Sequence, residues 1–266
     1  MRTVLTAENV TKVFAVGKGK TVMAVKNLSL DVREGEFLCL LGASGCGKST
    51  MINMFAGFTH PTSGRVLLHG KPITAIEPRC GMVFQSYALF PWKTVRANVE
   101  FGLKMQGKPA AERSRIADGF IKMVKLQGFE DHYPAELSGG MQQRVTLARI
   151  LAANPEVLLM DEPFAALDAM TRQVMQEELL QIHETSKKTT VFITHNIDEA
   201  LTLADRIVVL SARPGCVKAE IENRLPRPRT IATQLTSEYI ASKTKVWGYV
   251  EEEIQKHDEA DRELTA

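Results

Sequence analysis

The chain has 266 residues, enough to bury a large core in one domain or in a domain that carries an inserted subdomain. Apolar residues make up 44% of the chain and charged residues 24%, which is ordinary for a globular protein that folds on its own. The formal net charge of +2 supplies no strong basic field for nucleic acid, and no nucleic-acid partner is expected.

Cysteine spacing and hydropathy narrow the setting in which the chain works. The four cysteines show no paired metal-binding spacing, which favours a reduced, cytoplasmic environment. No apolar run approaches the roughly 18 residues of a spanning helix, and the first residues lack the apolar core of a signal peptide. We therefore expect any link to a membrane to run through a partner.

Short apolar runs bounded by glycine or proline alternate with stretches of helical periodicity along most of the chain. This alternation predicts an α/β fold with a mainly parallel, buried sheet. The N-terminal part differs, because residues 22–25, 28–32 and 65–68 have the pattern of antiparallel strands. Strands of the parallel sheet are predicted at residues 37–41, 82–84, 157–160, 191–194 and 207–210.

Strand signals disappear over residues 91–153, where apolar side chains recur at helical spacing. We predict an α-helical subdomain there, inserted into a main domain of residues 1–235. A segment with three arginines follows, including Arg224 and Arg229; a lipid-headgroup site needs about four to eight cations, so a solvated connection is predicted. The remaining residues, 236–266, form a predicted helical tail that packs on its own domain or on a second copy.

A glycine-rich segment joins the strand at residues 37–41 to a helical pattern at residues 49–56. It fits G-x-x-x-x-G-K-[ST], in which backbone N–H groups wrap a β-phosphate. Lys48 then reaches the β- and γ-phosphate oxygens, and Ser49 binds Mg²⁺. The sequence thus predicts a nucleotide site. The residues of this phosphate loop are Gly42, Ala43, Ser44, Gly45, Cys46, Gly47, Lys48, Ser49 and Thr50.

A second glycine-rich motif, Leu-Ser-Gly-Gly-Met-Gln, occupies residues 137–142 and opens a helical pattern. Such a loop offers a further set of backbone N–H groups to an anionic phosphate. One chain needs only one such cradle. Ser138, Gly139 and Gly140 therefore predict a phosphate contact that the first motif does not explain.

Two adjacent carboxylates end the predicted strand at residues 157–160. Successive strand side chains point to opposite faces, so Asp161 and Glu162 are expected to do different work. Asp161 suits the surroundings of Mg²⁺ held by Ser49, whereas Glu162 suits polarising a water for attack on a γ-phosphate. A capped turn is the alternative, and the phosphate loop favours the functional interpretation.

Three single polar residues join the same predicted edge of the sheet. Gln85 follows a predicted strand, and its amide can contact Mg²⁺ or the attacking water; a solvated loop residue is the alternative. His195 also follows a strand, where an imidazole can hydrogen-bond a γ-phosphate, although lone histidines are usually structural. Asp168 fits a functional role or an N-cap of the next helix equally well.

The phosphate loop, Gln85, the motif at residues 137–142, Asp161-Glu162, Ala166-Leu167-Asp168 and His195, in this order, closely resemble the ATP-binding subunit of ABC transporters. The resemblance covers roughly residues 3–225 and implies a P-loop NTPase core that hydrolyses ATP. It also implies a head-to-tail homodimer, with each ATP held between one copy's phosphate loop and the other copy's Ser138-Gly139-Gly140.

The same resemblance assigns two further residues to the nucleotide site. Asp168 would act across the dimer interface near the opposite ATP. Phe14 matches an aromatic that stacks on adenine, although a core position for this ring is the alternative. The family more often carries Tyr at that position, and Gly or Ser where this chain has Ala165.

Residues 87–92, 212–215 and 225–229 resemble, more weakly, importers of the nitrate, sulfonate and taurine type. The subgroup implies a separate transmembrane permease, a substrate-binding protein and a peripheral position on the cytoplasmic side of the inner membrane. Phe90 and Trp92 are then candidate permease contacts, or rings that seal the helical subdomain. Alternatives from other classes are a soluble ABC ATPase that remodels a protein or nucleic-acid complex and a P-loop kinase for a small metabolite. The kinase leaves residues 137–142 unexplained.

Overall fold

A computed structural model describes residues 2–17 and 19–265. Residues 1, 18 and 266, and the side chains of Ile254 and of residues 256–265 in the predicted tail, lie outside the described part. The strands are β1 Thr3–Ala15, β2 Thr21–Arg33, β3 Phe37–Leu41, β4 Ser63–Leu68, β5 Lys71–Pro72, β6 Cys80–Val83, β7 Val157–Asp161, β8 Thr189–Thr194, β9 Arg206–Leu210 and β10 Val217–Glu222. The helices are α1 Lys48–Phe55, α2 Val95–Met105, α3 Ala110–Met123, α4 Gly139–Ala152, α5 Ala169–Ser186, α6 Ile197–Leu203, α7 Ile231–Gln234 and α8 Ser237–Thr265.

The chain divides into two compact units, one of residues 1–77 and 183–266 and the other of residues 78–182. The first unit contains an antiparallel sheet of order β2-β1-β4-β5. It also contains strands in the order β10-β9-β3-β8, in which β3 pairs in parallel with both β8 and β9. Parallel pairing explains the continuous apolar run of β3, since all five of its residues are buried.

The predicted strands at residues 22–25 and 28–32 are a single strand, β2. Asn27 adopts a left-handed φ of 45° within it, and its N–H donates to Thr11 Oγ1 at 3.0 Å. The pairing register with β1 shifts at this place, which is the mark of a β-bulge. The bulge therefore keeps Lys26 and Asn27, which separate the two predicted segments, inside one strand.

The second unit combines the parallel pair β6 and β7 with helices α2 to α4. One face of each of these helices is apolar, and the three faces form a common core. Its innermost members are Val99, Leu103, Ala117, Ile121 and Val145. The predicted fold class, an α/β core with a mainly parallel sheet, an N-terminal antiparallel part and a helical part, is therefore confirmed.

The C-terminal helix α8 packs within the first unit, against α6, β9 and β10. Tyr239 and Val246 are buried there, whereas Ile240 and Trp247 are exposed. The Tyr239 hydroxyl donates to Asp198 Oδ1 at 2.9 Å, and Lys243 Nζ donates to Asp198 Oδ2 at 2.8 Å. These contacts favour packing of the tail on its own chain. Among the described residues, no helix combines the length and hydropathy that a membrane span requires.

Candidate functional site

The phosphate loop connects β3 to α1, as the motif predicts. Gly45 and Gly47 adopt φ angles of 78° and 93°, a region that L side chains rarely occupy. A Cβ on Gly47 would lie 2.7 Å from the Ala24 carbonyl oxygen, and one on Gly42 would lie 2.7 Å from Cys46 Sγ. The glycines therefore let the backbone fold into a tight loop at the amino end of α1.

Lys48 is the first residue of α1, and only 4% of it is exposed. Its ammonium donates to the carbonyl oxygens of Gly42 at 2.8 Å and Ala43 at 2.9 Å. A buried ammonium that points back into the loop is well placed to exchange these neutral acceptors for phosphate oxygens, which attract it more strongly. Ser49, the next residue of α1, is exposed.

Phe14 lies near the end of β1 and is 41% exposed, so it is not a core residue. Lys12 Nζ lies 4.9 Å from the centroid of its ring, a cation–π distance. The open ring is available for stacking on a planar ligand.

His195 follows β8 and is exposed between two residues that fix the backbone. The buried Thr194 hydroxyl donates to Glu199 Oε2 at 2.5 Å and accepts from the Asn196 N–H at 2.9 Å. Asn196 is the N-cap of α6, and its side chain accepts from the Asp198 N–H at 2.8 Å. The imidazole is therefore presented from a rigid strand-to-helix turn.

Gln85, in the second unit, lies just beyond β6 and is exposed. The segment that follows it is fastened to α4. The Tyr87 carbonyl accepts from Thr146 Oγ1 at 2.9 Å, and the Ala88 carbonyl accepts from the buried Arg149 at 2.7 Å. Sequence reasoning missed Thr146 and Arg149, because a polar residue on a buried helix face carries no motif.

Phe90 and Trp92, left open as permease contacts or internal seals, behave differently. The Phe90 ring lies 4.5 Å from Phe101 and under the Arg149 guanidinium, at 5.7 Å, so it packs internally. Trp92 is 71% exposed although its ring centroid lies 5.8 Å from that of Phe90. Of these two rings, Trp92 is the one that offers a broad apolar surface to a partner.

The second glycine-rich motif begins α4. Ser138 is the exposed N-cap, and its Oγ accepts from the Met141 N–H at 3.4 Å. A Cβ on Gly139 would lie 2.8 Å from the Tyr87 hydroxyl, and one on Gly140 would lie 2.6 Å from Thr171 Cγ2. Both glycines are thus tightly packed against neighbouring side chains. A phosphate contact at this helix end stays a prediction, which rests on the general preference of helix N-termini for anions.

Asp161 is the last residue of β7 and Glu162 the first beyond it. Glu162 adopts a φ of 43°, which is strained for a residue with a Cβ. Asp168 caps α5, since its Oδ1 accepts from the Thr171 N–H at 3.0 Å, and hydrogen bonds from Thr171 hold the pKa of this carboxyl below its ordinary value. The Asp168 side chain therefore caps α5, and its role across a dimer interface stays a prediction.

The two units thus carry different parts of the predicted site. Phe14, the phosphate loop and His195 belong to the first unit, and Gln85, residues 138–140, Asp161, Glu162 and Asp168 belong to the second. Within the described residues, no cluster of three or more His, Cys, Asp or Glu side chains could hold a metal ion. The four cysteines, all of which the structure describes, form no disulfide.

Residues 25–165 match the family model described as ABC transporter. The chain belongs to this family. It is an ATP-binding protein with ATPase activity, and the similarity to nitrate and taurine importers expected from the motifs is confirmed by its relatives.

An uncharacterized ABC transporter ATP-binding protein of Methanocaldococcus jannaschii is 50% identical over 256 residues, covering 96% of this chain and 94% of the relative. The nitrate import ATP-binding protein of a Synechocystis species is 49% identical, covering 79% of each chain. The taurine import ATP-binding protein of Roseobacter denitrificans is 47% identical, covering 84% of this chain and 82% of the relative. A solved dimeric ATP-binding cassette, in a post-hydrolysis state with ADP and Pi, is 36% identical with a TM-score of 0.74, covering 83% of this chain and 99% of that chain.

Proposed function

We propose that the chain is the ATP-hydrolysing subunit of an importer for a small anion of the nitrate, sulfonate or taurine type. The observation that carries this proposal is the glycine-built phosphate loop, with its buried lysine, in a chain whose relatives are named for nitrate and taurine import. These relatives also favour the importer over a complex-remodelling ATPase. Cargo choice would belong to a permease and a substrate-binding protein, since the motifs here concern only the ATP.

In the proposed reaction, the loop's N–H groups and Lys48 bind the β- and γ-phosphates. Glu162 accepts a proton from the attacking water, and His195 donates a hydrogen bond to the γ-phosphate, so that ADP is bound differently from ATP. Phe14 stacks on the adenine. The strained backbone at Glu162 supports a functional role, because such strain concentrates at active sites.

Magnesium fits the chemistry of the donors assigned to it. The Ser49 hydroxyl, the Gln85 amide oxygen and the Asp161 carboxylate are all oxygen ligands, which Mg²⁺ prefers together with substrate phosphates. When bound, the ion neutralises charge on the β- and γ-phosphates. Ser49 and Asp161 would hold it, and Gln85 would contact it or the attacking water.

The second copy completes each site in this proposal. Ser138, Gly139 and Gly140 of one copy bind the ATP held by the other copy's phosphate loop, and Asp168 acts across that interface. The dimeric state of the similar solved cassette supports this arrangement. The homodimer would lie peripherally on the cytoplasmic side of the inner membrane, held by permease subunits, with Trp92 part of the contact surface.

The importer proposal is tested by purification from detergent-solubilised membranes. The tagged chain should bring with it a multi-spanning membrane protein in comparable amount. Trp92→Ala should reduce that recovery, whereas the other tryptophan variant, Trp247→Ala, should not. Purification of a catalytically active chain with no membrane protein attached would count against the importer and leave the ATPase assignment intact.

A further inference from the structure

An arginine from outside the phosphate loop packs directly on it. A Cβ built on Gly45 would be 2.5 Å from Arg213 Nη2 and 3.1 Å from Arg213 Cζ. The guanidinium therefore packs against the exposed backbone of Gly45, at the centre of the residues that wrap a phosphate. Arg213 comes from the loop between β9 and β10, far from the motif in sequence.

The loop that carries Arg213 is held rigidly in place. Ser211 Oγ accepts from the Cys216 N–H and donates to the Pro214 carbonyl, both at 2.9 Å. The backbone N–H of Gly215 donates to the Ala24 carbonyl at 2.9 Å. These bonds close residues 211–216 into a compact turn whose arginine has a defined position.

The turn also sits directly on the phosphate loop. A Cβ on Gly215 would lie 2.1 Å from the Cys46 carbonyl oxygen, so only glycine permits this approach. The C-terminal helix supports the turn from another side, because the Ala212 N–H donates to Glu253 Oε2 at 3.0 Å. Backbone contacts, and not the arginine itself, therefore fix the distance between the turn and the loop.

The charge of Arg213 is not neutralised by the part of the chain that the structure describes. Arg206 is paired with Glu36 and Glu220, and Arg227 with Asp205. Arg213 forms no such pair with a described carboxylate and is exposed. A guanidinium with no carboxylate partner among the described residues, beside a loop built to bind phosphate, raises the local positive potential where an anion arrives.

We propose that Arg213 is a further nucleotide-binding residue, whose guanidinium donates to a phosphate oxygen of the nucleotide held by the phosphate loop. The proposal rests on ATP binding by that loop and adds a second cation to Lys48. Arginine suits the task because its planar fork of N–H donors matches phosphate oxygens. An exposed cation also makes part of the affinity dependent on ionic strength, since salt screens surface charges.

Equilibrium binding of ATP and ADP to the purified full chain tests this assignment at low and high salt. Arg213→Gln removes the charge while keeping much of the side chain, and Arg213→Lys keeps the charge. We expect Arg213→Gln to weaken ATP binding about tenfold at low salt and less at high salt, and Arg213→Lys to stay near the parent. Arg224→Gln is the matched control, because the Arg224 side chain is exposed and remote from the motif in sequence.

The outcomes separate the two levels of the proposal. Suppose that the parent binds ATP and that Lys48→Ala abolishes this binding. If Arg213→Gln then binds ATP as tightly as Arg224→Gln does, the role of Arg213 is overturned and the nucleotide site stands. Equal losses in the Gln and Lys variants would show packing on the loop and would also overturn it. A parent that does not bind ATP would overturn the nucleotide site itself. Unchanged thermal unfolding of each variant excludes a folding defect.

Discussion

Glu162 illustrates how much chemistry depends on one backbone conformation. It follows a buried strand directly, and its φ of 43° turns the chain sharply away from the strand direction. A residue with a Cβ pays about 1–3 kcal/mol for such a conformation, and the surrounding structure must enforce it. Asp161 still belongs to the strand, whereas Glu162 lies just beyond it, and different work for the two carboxylates stays a prediction.

Glu162→Gln should bind ATP as the parent does but hydrolyse it at least about a hundredfold more slowly, because an amide cannot accept the proton of the attacking water. Steady-state phosphate release and equilibrium ATP binding measure the two effects separately. The trapped ATP should also hold the chain as a dimer in size-exclusion chromatography. The exposed Glu177→Gln is the control, and hydrolysis by Glu162→Gln at the parent rate would remove Glu162 from the proposed role.

His183 predicts a weak point in acid. It is 5% exposed and lies edge-on to Phe37, with ring centroids 5.1 Å apart. Burial lowers the pKa of the imidazole, although Asp205, 3.9 Å away, opposes the shift. In the unfolded chain His183 takes up a proton near pH 6.5, whereas in the folded chain it does so only at lower pH. The free energy of unfolding therefore falls as the pH drops below about 6.5.

Urea unfolding between pH 7.5 and 5 measures this effect. The parent should lose stability with a slope approaching about 1.4 kcal/mol per pH unit for this one proton, and His183→Gln should flatten the curve. His60→Gln, at an exposed position, should keep the parent's slope. Parallel curves for the parent and His183→Gln would show that another group governs acid unfolding.

At the scale of elements, one buried arginine closes the carboxyl end of α6. Arg229 is 4% exposed and donates to the carbonyl oxygens of Ala204 at 2.6 Å and Leu201 at 3.3 Å. Its Nε also donates to Leu225 at 3.1 Å. Burial lowers the pKa of Arg229 to about 10, and the guanidinium still offers its donors to carbonyls that the helix leaves unpaired. The prediction of a solvated arginine segment was therefore wrong for this residue.

Arg229→Met keeps most of the length and volume of the side chain but leaves several buried carbonyl oxygens without a hydrogen-bond donor. We expect it to lower the free energy of unfolding by about 3 kcal/mol. Arg224→Met, in the same segment but exposed, should change it by less than about 0.5 kcal/mol. Equal urea midpoints for the two variants would contradict the capping role.

Side chains that bind backbone carbonyls also connect two parts of the second unit, the segment after Gln85 and helix α4. The segment after Gln85 is bound by its carbonyls to Thr146 and Arg149 on α4, the helix that begins with Ser138 and its glycines. A change in the position of α4 therefore acts directly on the backbone beside Gln85. This is a physical path by which a partner that contacts Trp92 would influence the motif at residues 138–140.

At the scale of the whole molecule, the proposal of shared sites makes a complementation experiment decisive. Ser138→Arg should place a bulky cation at the amino end of α4 and block the motif, while ATP binding to its own phosphate loop remains. Lys48→Ala should lose ATP binding and keep its motif intact. Each homodimer should be inactive.

A purified heterodimer of the two variants contains one site with both halves intact. We expect it to recover up to about half of the parent activity, which follows from one complete site in two. Ser138→Ala mixed with Lys48→Ala is the control for bulk. A heterodimer with no hydrolysis would contradict the head-to-tail sharing of ATP, and full activity of the Ser138→Arg homodimer would contradict a role for the motif.

The sequence by itself determined the fold class, the phosphate loop and the family. Each depends on patterns that can be seen in the sequence: apolar runs of strand length, glycines at fixed spacing before Lys48, and the order of the motifs along the chain. It also placed the five parallel strands, because buried strands consist almost wholly of apolar residues. Such patterns are readable since every residue that creates them is close to the others in the chain.

Tertiary structure alone decided what several exposed-looking polar residues do. Arg229 is a buried helix cap, Arg149 holds the segment after Gln85, and Arg213 lies on Gly45 although 168 positions separate them. The residue type is arginine at each of these positions, so the sequence does not distinguish them. The partners are backbone groups, which carry no sequence signature. The role of each arginine depends on which distant carbonyl or glycine the fold brings within reach. No local sequence pattern contains that information.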